Sequence, residues 1–284
     1  MSENSTEADR ISREARYYDK ESDHFDPATT LVDESFQAPT AVANQHILSE
    51  FGDIRGKRIL DYGCGVSEGG VYLAKLGARV VGMDVSPGQL ANAQQLAARH
   101  DVKIETRLVT ESRIPADDNE FDLIYGNGVL HHVPLESAVP ELARILKAEG
   151  KGCFIEPLPY NPLIKVYRAL ATRNRTDDER PLAWSDVENL KKYFSEVRHR
   201  EMWLTTQSVF LKFFLVDRVH PNTERYWKKI FTDAERLEWF FSPLKKADDL
   251  ILEALPFLRR FCWVTVITTS LPKKIPLANI DPPA

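Results

Sequence analysis

Two aspartates, a pair of glycines and a pair of histidines carry the chemistry legible in this chain. Ile59-Leu60-Asp61-Tyr62-Gly63-Cys64-Gly65 joins an apolar run to the start of a helical one. Glycines at such a strand-to-helix turn let the backbone fold sharply and approach a ligand closely, at the switch point of an open α/β sheet. The next apolar run ends in Asp84, 23 positions after Asp61. A carboxylate there can accept hydrogen bonds from two vicinal ribose hydroxyls. The turn is not a dinucleotide fingerprint, because GxGxxG requires glycine where this chain has Glu68. A carboxylate where a helix N-terminus would meet a pyrophosphate is electrostatically wrong. A ligand without phosphate but with a cationic amine fits better, since Asp61 can face the ammonium group.

The elements that must position these residues follow from apolar periodicity and breakers. Strands are expected at 57–61, 79–84, 102–108, 121–125 and 151–156, alternating with helices at 70–76, 89–100 and 135–147. Ser86-Pro87 supplies an N-cap and a first-turn proline for the second of these helices. Strands alternating with helices imply a parallel, doubly wound sheet. Ahead of it, 11–25 and 41–51 read as helices, the first carrying Tyr17, Tyr18 and Phe25. Beyond Pro157, Ser185-Asp186-Val187-Glu188 reads as a capping box. Residues 197–206 and 261–269 read as strands. Between them lie helical stripes at Val209, Phe210, Phe213 and Phe214, at Tyr226 to Phe241, and at Leu244 to Leu255. Residues 275–284 read as an irregular strip.

The 284 residues hold 37 Lys+Arg against 42 Asp+Glu, with 43% hydrophobic residues. That is the mix of an ordinary globular chain, and its net charge of −5 argues against non-specific nucleic-acid binding, which needs clustered cations. No apolar run approaches the ~20 residues of a membrane span, and the polar N-terminus lacks a signal-peptide core, so a cytoplasmic location is expected. Cys64, Cys153 and Cys262 are far apart and odd in number, which indicates neither a disulfide framework nor a metal site.

ILDYGCG, then VVGMDVSPGQL, then FDLIYGNGVLHHV resemble the class I S-adenosylmethionine-dependent methyltransferases, and among them the small-molecule branch with an LHHV signature. The resemblance covers about 41–160. It implies a Rossmann-like, doubly wound seven-stranded sheet with a helical insertion before the last strand. The chain then divides into an N-terminal helical flap (1–40), a cofactor-binding core (41–160), and a helical lid with the last two core strands (161–284). The resemblance implies that Asp61, Gly63, Cys64 and Gly65 line the methionine part of S-adenosylmethionine. Asp84 would hold the ribose, and Met83 and Val85 would flank adenine. Thr110, Glu111 or Ser112 would meet the adenine amino group, although the usual Asp-Ala pair is missing there. Asn127 would touch the methionine end. Ser67 stands where the family has a third glycine, so a turn shifted onto Gly69-Gly70 is expected.

Methyl transfer needs alignment more than acid–base help, yet a neutral oxygen or nitrogen must lose a proton, and histidine is the usual base near neutral pH. His132, then His131, are the candidates, with structural packing as the alternative. Tyr17 and Tyr18 are placed like N-terminal tyrosines that close over the cofactor in similar enzymes; helix packing is the alternative. Glu156 either faces the site or bonds to backbone. Arg173, Arg175 and Arg180 suit an acidic substrate less well than a self-paired loop with Asp177, Asp178 and Glu179. The expected activity is methyl transfer to a small, largely apolar or aromatic acceptor, with oxygen preferred and nitrogen or carbon open. The alternative is a protein that binds the same cofactor without methylating, for regulation or another reaction such as a cyclisation. A nucleic-acid amino-methyltransferase is disfavoured, because Gly126-Asn127-Gly128-Val129 stands where (N/D)PP(Y/F) belongs; Asp281-Pro-Pro-Ala284 is no substitute. An oxidoreductase ranks third. A weak membrane-surface contact through the lid helices stays open.

Overall fold

A computed structural model describes residues 7–171 and 179–274. The N-terminal helices are α1 (Glu7–Ser22), α2 (Glu34–Gln37) and α3 (Val42–Phe51). There follow β1 (Arg58–Tyr62), α4 (Glu68–Lys75), β2 (Arg79–Asp84), α5 (Pro87–Arg99), β3 (Glu105–Leu108), β4 (Phe121–Asn127), α6 (Leu135–Ile145) and β5 (Leu146–Pro157). The C-terminal part holds α7 (Pro162–Leu170), α8 (Trp184–Leu190), β6 (Phe194–Met202), α9 (Ser208–Leu211), α10 (Tyr226–Thr232), α11 (Ala234–Ala254) and β7 (Val264–Pro272). The seven strands form one sheet in the order β3-β2-β1-β4-β5-β7-β6. The pairs β1–β2, β1–β4, β2–β3 and β4–β5 are parallel, and β7 runs antiparallel to both neighbours.

Helices cover both faces, so the central strands are apolar almost without alternation. Ile59 and Leu60 are both fully buried, yet they point into opposite layers. Ile59 joins Val80, Leu123 and Val266 against α3, α4 and α5, whereas Leu60 joins Val81, Ile124 and Ile267 against α6 and α8. The aromatic region does not form a separate unit. Phe210, Phe213, Tyr226, Leu237 and Phe241 share the Ile59 layer.

Several local expectations change. The first turn of α8 starts at Trp184, so Ser185 lies inside it; the capping contact is made by the Asp186 carboxylate, which accepts the Ala183 N–H at 2.8 Å. The second and third stripes are divided elsewhere than expected. The break falls at Asp233, and α11 runs on through Pro243. Beyond α9 the chain makes a π-turn, Lys212–Val216, which turns Phe214 outward. Trp227, Leu250 and Leu255, expected on buried stripes, are also exposed.

The flap helix α1 docks on α5. Ser86 caps α5 by accepting the Gln89 N–H, and Asp19 reinforces the same end, accepting from Ser86 Oγ at 2.6 Å and Gly88 N at 2.9 Å. A carboxylate at a helix N-terminus is favoured by the helix dipole. Gln89 and Asn92 return bonds to the carbonyls of Tyr18 and Ser22. Among the described residues no helix is long and apolar enough to cross a membrane.

Candidate active site

The turn after β1 is held open by three alternate left-handed positions, Gly63 (φ +63°), Gly65 (φ +53°) and Ser67 (φ +59°). The turn is therefore not shifted onto Gly69-Gly70. Ser67 itself takes the strained conformation, which costs an L-residue roughly 1–2 kcal/mol. Its hydroxyl offsets that cost by donating to Asp61 Oδ2 at 2.7 Å, and Gly70 N–H donates to the same oxygen at 3.0 Å. Gly69 and Gly70 have a packing reason instead. A Cβ would meet the Tyr125 ring at 2.4 Å in one case and Ser67 Oγ at 2.2 Å in the other. Gly63 is pressed on Val129, whereas a Cβ at Gly65 would meet nothing within 4 Å. The backbone at Gly65 thus borders open space.

That space is a cavity of about 770 Å³, within the usual range for small-molecule sites. Asp61 and Asp84 both face it and both are almost fully buried. Burial pushes the Asp61 carboxyl up to about 7, against the lowering effect of its two hydrogen bonds. Burial likewise raises Asp84, whose oxygens accept from Gly65 N at 2.8 Å and Ser86 N at 2.9 Å. Cys64 also lines the cavity, and burial and the two aspartates push its thiol well up. Met83, Val85 and Asn127 also line the cavity.

The expected adenine-amino contacts separate. Glu111 and Ser112 reach the cavity rim, but Thr110 does not; it faces a second hollow with Arg107 and Arg113. Thr110 sits just past the end of β3, between Val109 and Glu111, both of which reach the cavity.

Beside the turn, the short helix Leu130–His132 brings both histidines to the cavity. Glu156, on β5 and fully buried, takes the backbone-bonding alternative and reaches the cavity only through His131. Oε1 accepts the Val129 and Leu130 N–H groups at 3.1 and 2.7 Å, and Oε2 lies 2.6 Å from His131 Nδ1. This bond places a proton on His131 Nδ1 and leaves Nε2 for the cavity side. His132 Nε2 lies 3.2 Å from the Tyr18 hydroxyl, and its Nδ1 lies 3.3 Å from Glu14 Oε2. Tyr18 is thus in the site, its phenol raised by burial and by the nearby Glu14 charge.

No motif signals Glu14 or Asp19. Spacing can find Glu14, since it lies four residues before Tyr18 and hence on the same helix face. His131, His132 and Glu179 bring one metal-ligand atom each within 4.8 Å. Arg168 already supplies a cation there, its guanidinium 2.5 Å from Glu179 Oε1. Arg180 pairs with Asp186 at 3.1 Å. Arg173, Arg175, Asp177, Asp178 and the 275–284 strip, with its Asp281-Pro-Pro-Ala284, lie outside the described residues.

Residues 60–154 match the family model described as "Methyltransferase domain". The ubiquinone biosynthesis O-methyltransferase of Alkalilimnicola ehrlichii is 37% identical over 124 residues, covering 42% of this chain and 49% of that protein. The demethylmenaquinone methyltransferase of Clavibacter sepedonicus is 27% identical over 208 residues, 65% of this chain and 83% of that one. Among solved structures, a Haemonchus contortus phosphoethanolamine N-methyltransferase with bound S-adenosylhomocysteine superposes with a TM-score of 0.57. It is 19% identical over 96% of this chain and 62% of that one.

The fold is the class I methyltransferase fold, and residues 60–154 are similar to the methyltransferase domain of that family model. The cofactor of that class is S-adenosylmethionine, and the donor set fits it. Two buried carboxylates face the cavity for an ammonium and a ribose diol, and the Gly65 backbone leaves room beside them. Glu68 at the start of α4 keeps that turn unsuited to a phosphate. The chain spans about half the length of the ubiquinone-type relatives it matches.

Proposed function

We propose that this chain is an S-adenosylmethionine-dependent methyltransferase acting on a small acceptor held between the cofactor and the aromatic wall of the cavity. The observation that carries this reading is that the Asp61–Gly63–Gly65 turn and Asp84, which is bonded to it through Gly65 N, line one cavity that also receives both histidines and Tyr18. The names of the quinone-type relatives support a small molecule as acceptor. Trp203, Trp263, Tyr167 and Phe231 line the far side, which suits an acceptor with an apolar or aromatic body.

In this reading Asp61 and the Gly63–Gly65 backbone hold the methionine part, with Asn127 at its end. Asp84 holds the ribose hydroxyls. Met83 and Val85 flank adenine, and Glu111 and Ser112 stand near its amino group. When bound, the cofactor supplies an electrophilic methyl group. The remaining work is alignment and removal of the acceptor's proton. His131 and His132 are the bases within reach, the first oriented by Glu156 and the second by Tyr18 and Glu14.

Isothermal titration with S-adenosylmethionine and S-adenosylhomocysteine tests the reading, with binding expected from both and lost in Asp84→Ala. No binding at millimolar ligand overturns it. Turnover of labelled methyl to any acceptor separates an enzyme from a protein that only binds the cofactor.

A further inference from the structure

Several charges around the cavity meet a partner of opposite sign. Arg225 meets Glu21 at 2.5 Å, Arg168 meets Glu179 at 2.5 Å and Lys228 meets Glu68 at 3.6 Å. Asp61 and Asp84 are committed to the cofactor side. Glu14 is different. It is 5% exposed, lines the cavity, and neither carboxylate oxygen has a hydrogen-bond partner among the described residues. Its contact with His132 Nδ1 has ion-pair distance, 3.3 Å, but that nitrogen too makes no aligned hydrogen bond. A buried carboxylate left this way costs more than an ordinary unmade hydrogen bond, which is already about 1–3 kcal/mol. A ligand that reaches Glu14 gains by bringing hydrogen-bond donors, and a positive charge would be stabilised there.

We propose that the acceptor is a protonated primary or secondary amine, and that Glu14 is the residue that selects it. The inference rests on the methyltransferase reading above and revises the expected preference for an oxygen acceptor. Donor count separates the two acceptor types. A hydroxyl owns a single proton, so if it gives that proton to a histidine it has none for Glu14. A primary ammonium has three. One proton leaves to an imidazole, and the neutral nitrogen still keeps N–H donors for Glu14. Its lone pair then forms the N–C bond to the methyl group, while the electron pair of the breaking C–S bond stays on sulfur.

The product is an alkylammonium cation, again opposite Glu14. An oxygen acceptor runs the other way, because its reactive form is an anion beside carboxylates. Tyr17 and Tyr18 show how the wall treats phenols: burial chiefly raises both, followed by the Glu21, Glu179 and Glu14 charges for Tyr17 and by Glu14, with Asp84 and Glu179 behind it, for Tyr18. The aromatic wall opposite, with Trp203, Trp263 and Tyr167, suits an alkylammonium ion, since ring faces attract cations.

The test uses the full chain, with and without saturating S-adenosylhomocysteine, and three probes that share one phenethyl body: phenethylamine, phenethyl alcohol and 3-phenylpropionate. The amine should bind at least tenfold tighter than the alcohol, and the carboxylate not at all. In Glu14→Gln the amine preference should fall below threefold, while affinity for S-adenosylhomocysteine, which also reports folding, stays within threefold. With labelled S-adenosylmethionine the label should accumulate in N-methylphenethylamine. Equal or tighter binding of the alcohol overturns the inference, as does an amine preference that survives in Glu14→Gln. Absence of cofactor binding sinks the methyltransferase reading instead, because amine selectivity is also measured without cofactor.

Discussion

Replacing Asp61 by asparagine should stabilise the protein without ligand and weaken its hold on the cofactor. Asparagine keeps an oxygen in the same place, so Ser67 Oγ and Gly70 N retain their acceptor. What disappears is a charge that is almost fully buried. Burial raises the Asp61 carboxyl from 3.8 to about 7. Each tenfold change in proton affinity corresponds to about 1.36 kcal/mol, so ionised Asp61 costs folding at most about 4 kcal/mol. The sign follows from proton counts. Between these two values the folded chain holds the proton and the unfolded chain does not, so stability falls as pH rises from about 4 to about 7.

The asparagine variant escapes that fall. Its advantage over the native chain should be roughly 2–3 kcal/mol smaller at pH 5 than above pH 7, where it levels off. About 2 kcal/mol recovered there would raise Tm by roughly 4 °C in a chain of this size. Binding should move in the opposite direction, because a charge-assisted hydrogen bond to an ammonium is worth roughly 1.5–3 kcal/mol. S-adenosylhomocysteine should therefore bind roughly 10–100-fold more weakly. Thermal melts of both proteins at pH 5, 6, 7 and 8, with and without ligand, read both effects. A variant that is no more stable at pH 8 than at pH 5, relative to the native chain, refutes the electrostatic argument. So does one that binds the ligand as tightly as before.

Other positions give sharper local tests. Gly63→Ala should lose roughly 1–2 kcal/mol from its left-handed backbone and more from contact with Val129 Cγ2, 2.3 Å from the added Cβ. Adding Val129→Ala should restore part of the loss in urea denaturation, and no restoration would count against the close approach. Glu156→Ala leaves the Val129 and Leu130 N–H groups and His131 Nδ1 without their acceptor. At about 1–3 kcal/mol per orphaned group, the expected loss is at least about 3 kcal/mol, and a loss below about 1 kcal/mol would contradict the hydrogen-bond assignment. Thr110→Val should leave S-adenosylhomocysteine affinity within about twofold, because Thr110 faces away from the cavity; a tenfold loss would return it to the site.

What is legible in the sequence, and what is not, divides by the range of the interaction that decides each feature. The alternation of strands and helices through 57–156 rests on local periodicity and caps, and all five expected strands form within a few residues of the predicted bounds. Features decided by a partner far along the chain are not legible. Ser67 reads as a defect in a glycine pattern until Asp61 is seen beneath it, accepting its hydroxyl. Thr110 is reached by counting along a family pattern, and counting cannot register which face of the chain turns inward after β3 ends. Asp233 ends α10 and Pro243 fails to end α11, because burial of Leu237 and Phe241 in the shared core outweighs the local cost of proline. Glu14 is the strongest case. On its own helix it is one acid among several, and only the docking of α1 across His132 removes it from water. A carboxylate that folding buries without a hydrogen bond is a cost that the fold alone does not repay. Glu14 therefore discriminates among acceptors where the aromatic wall, which any apolar ligand would satisfy, does not.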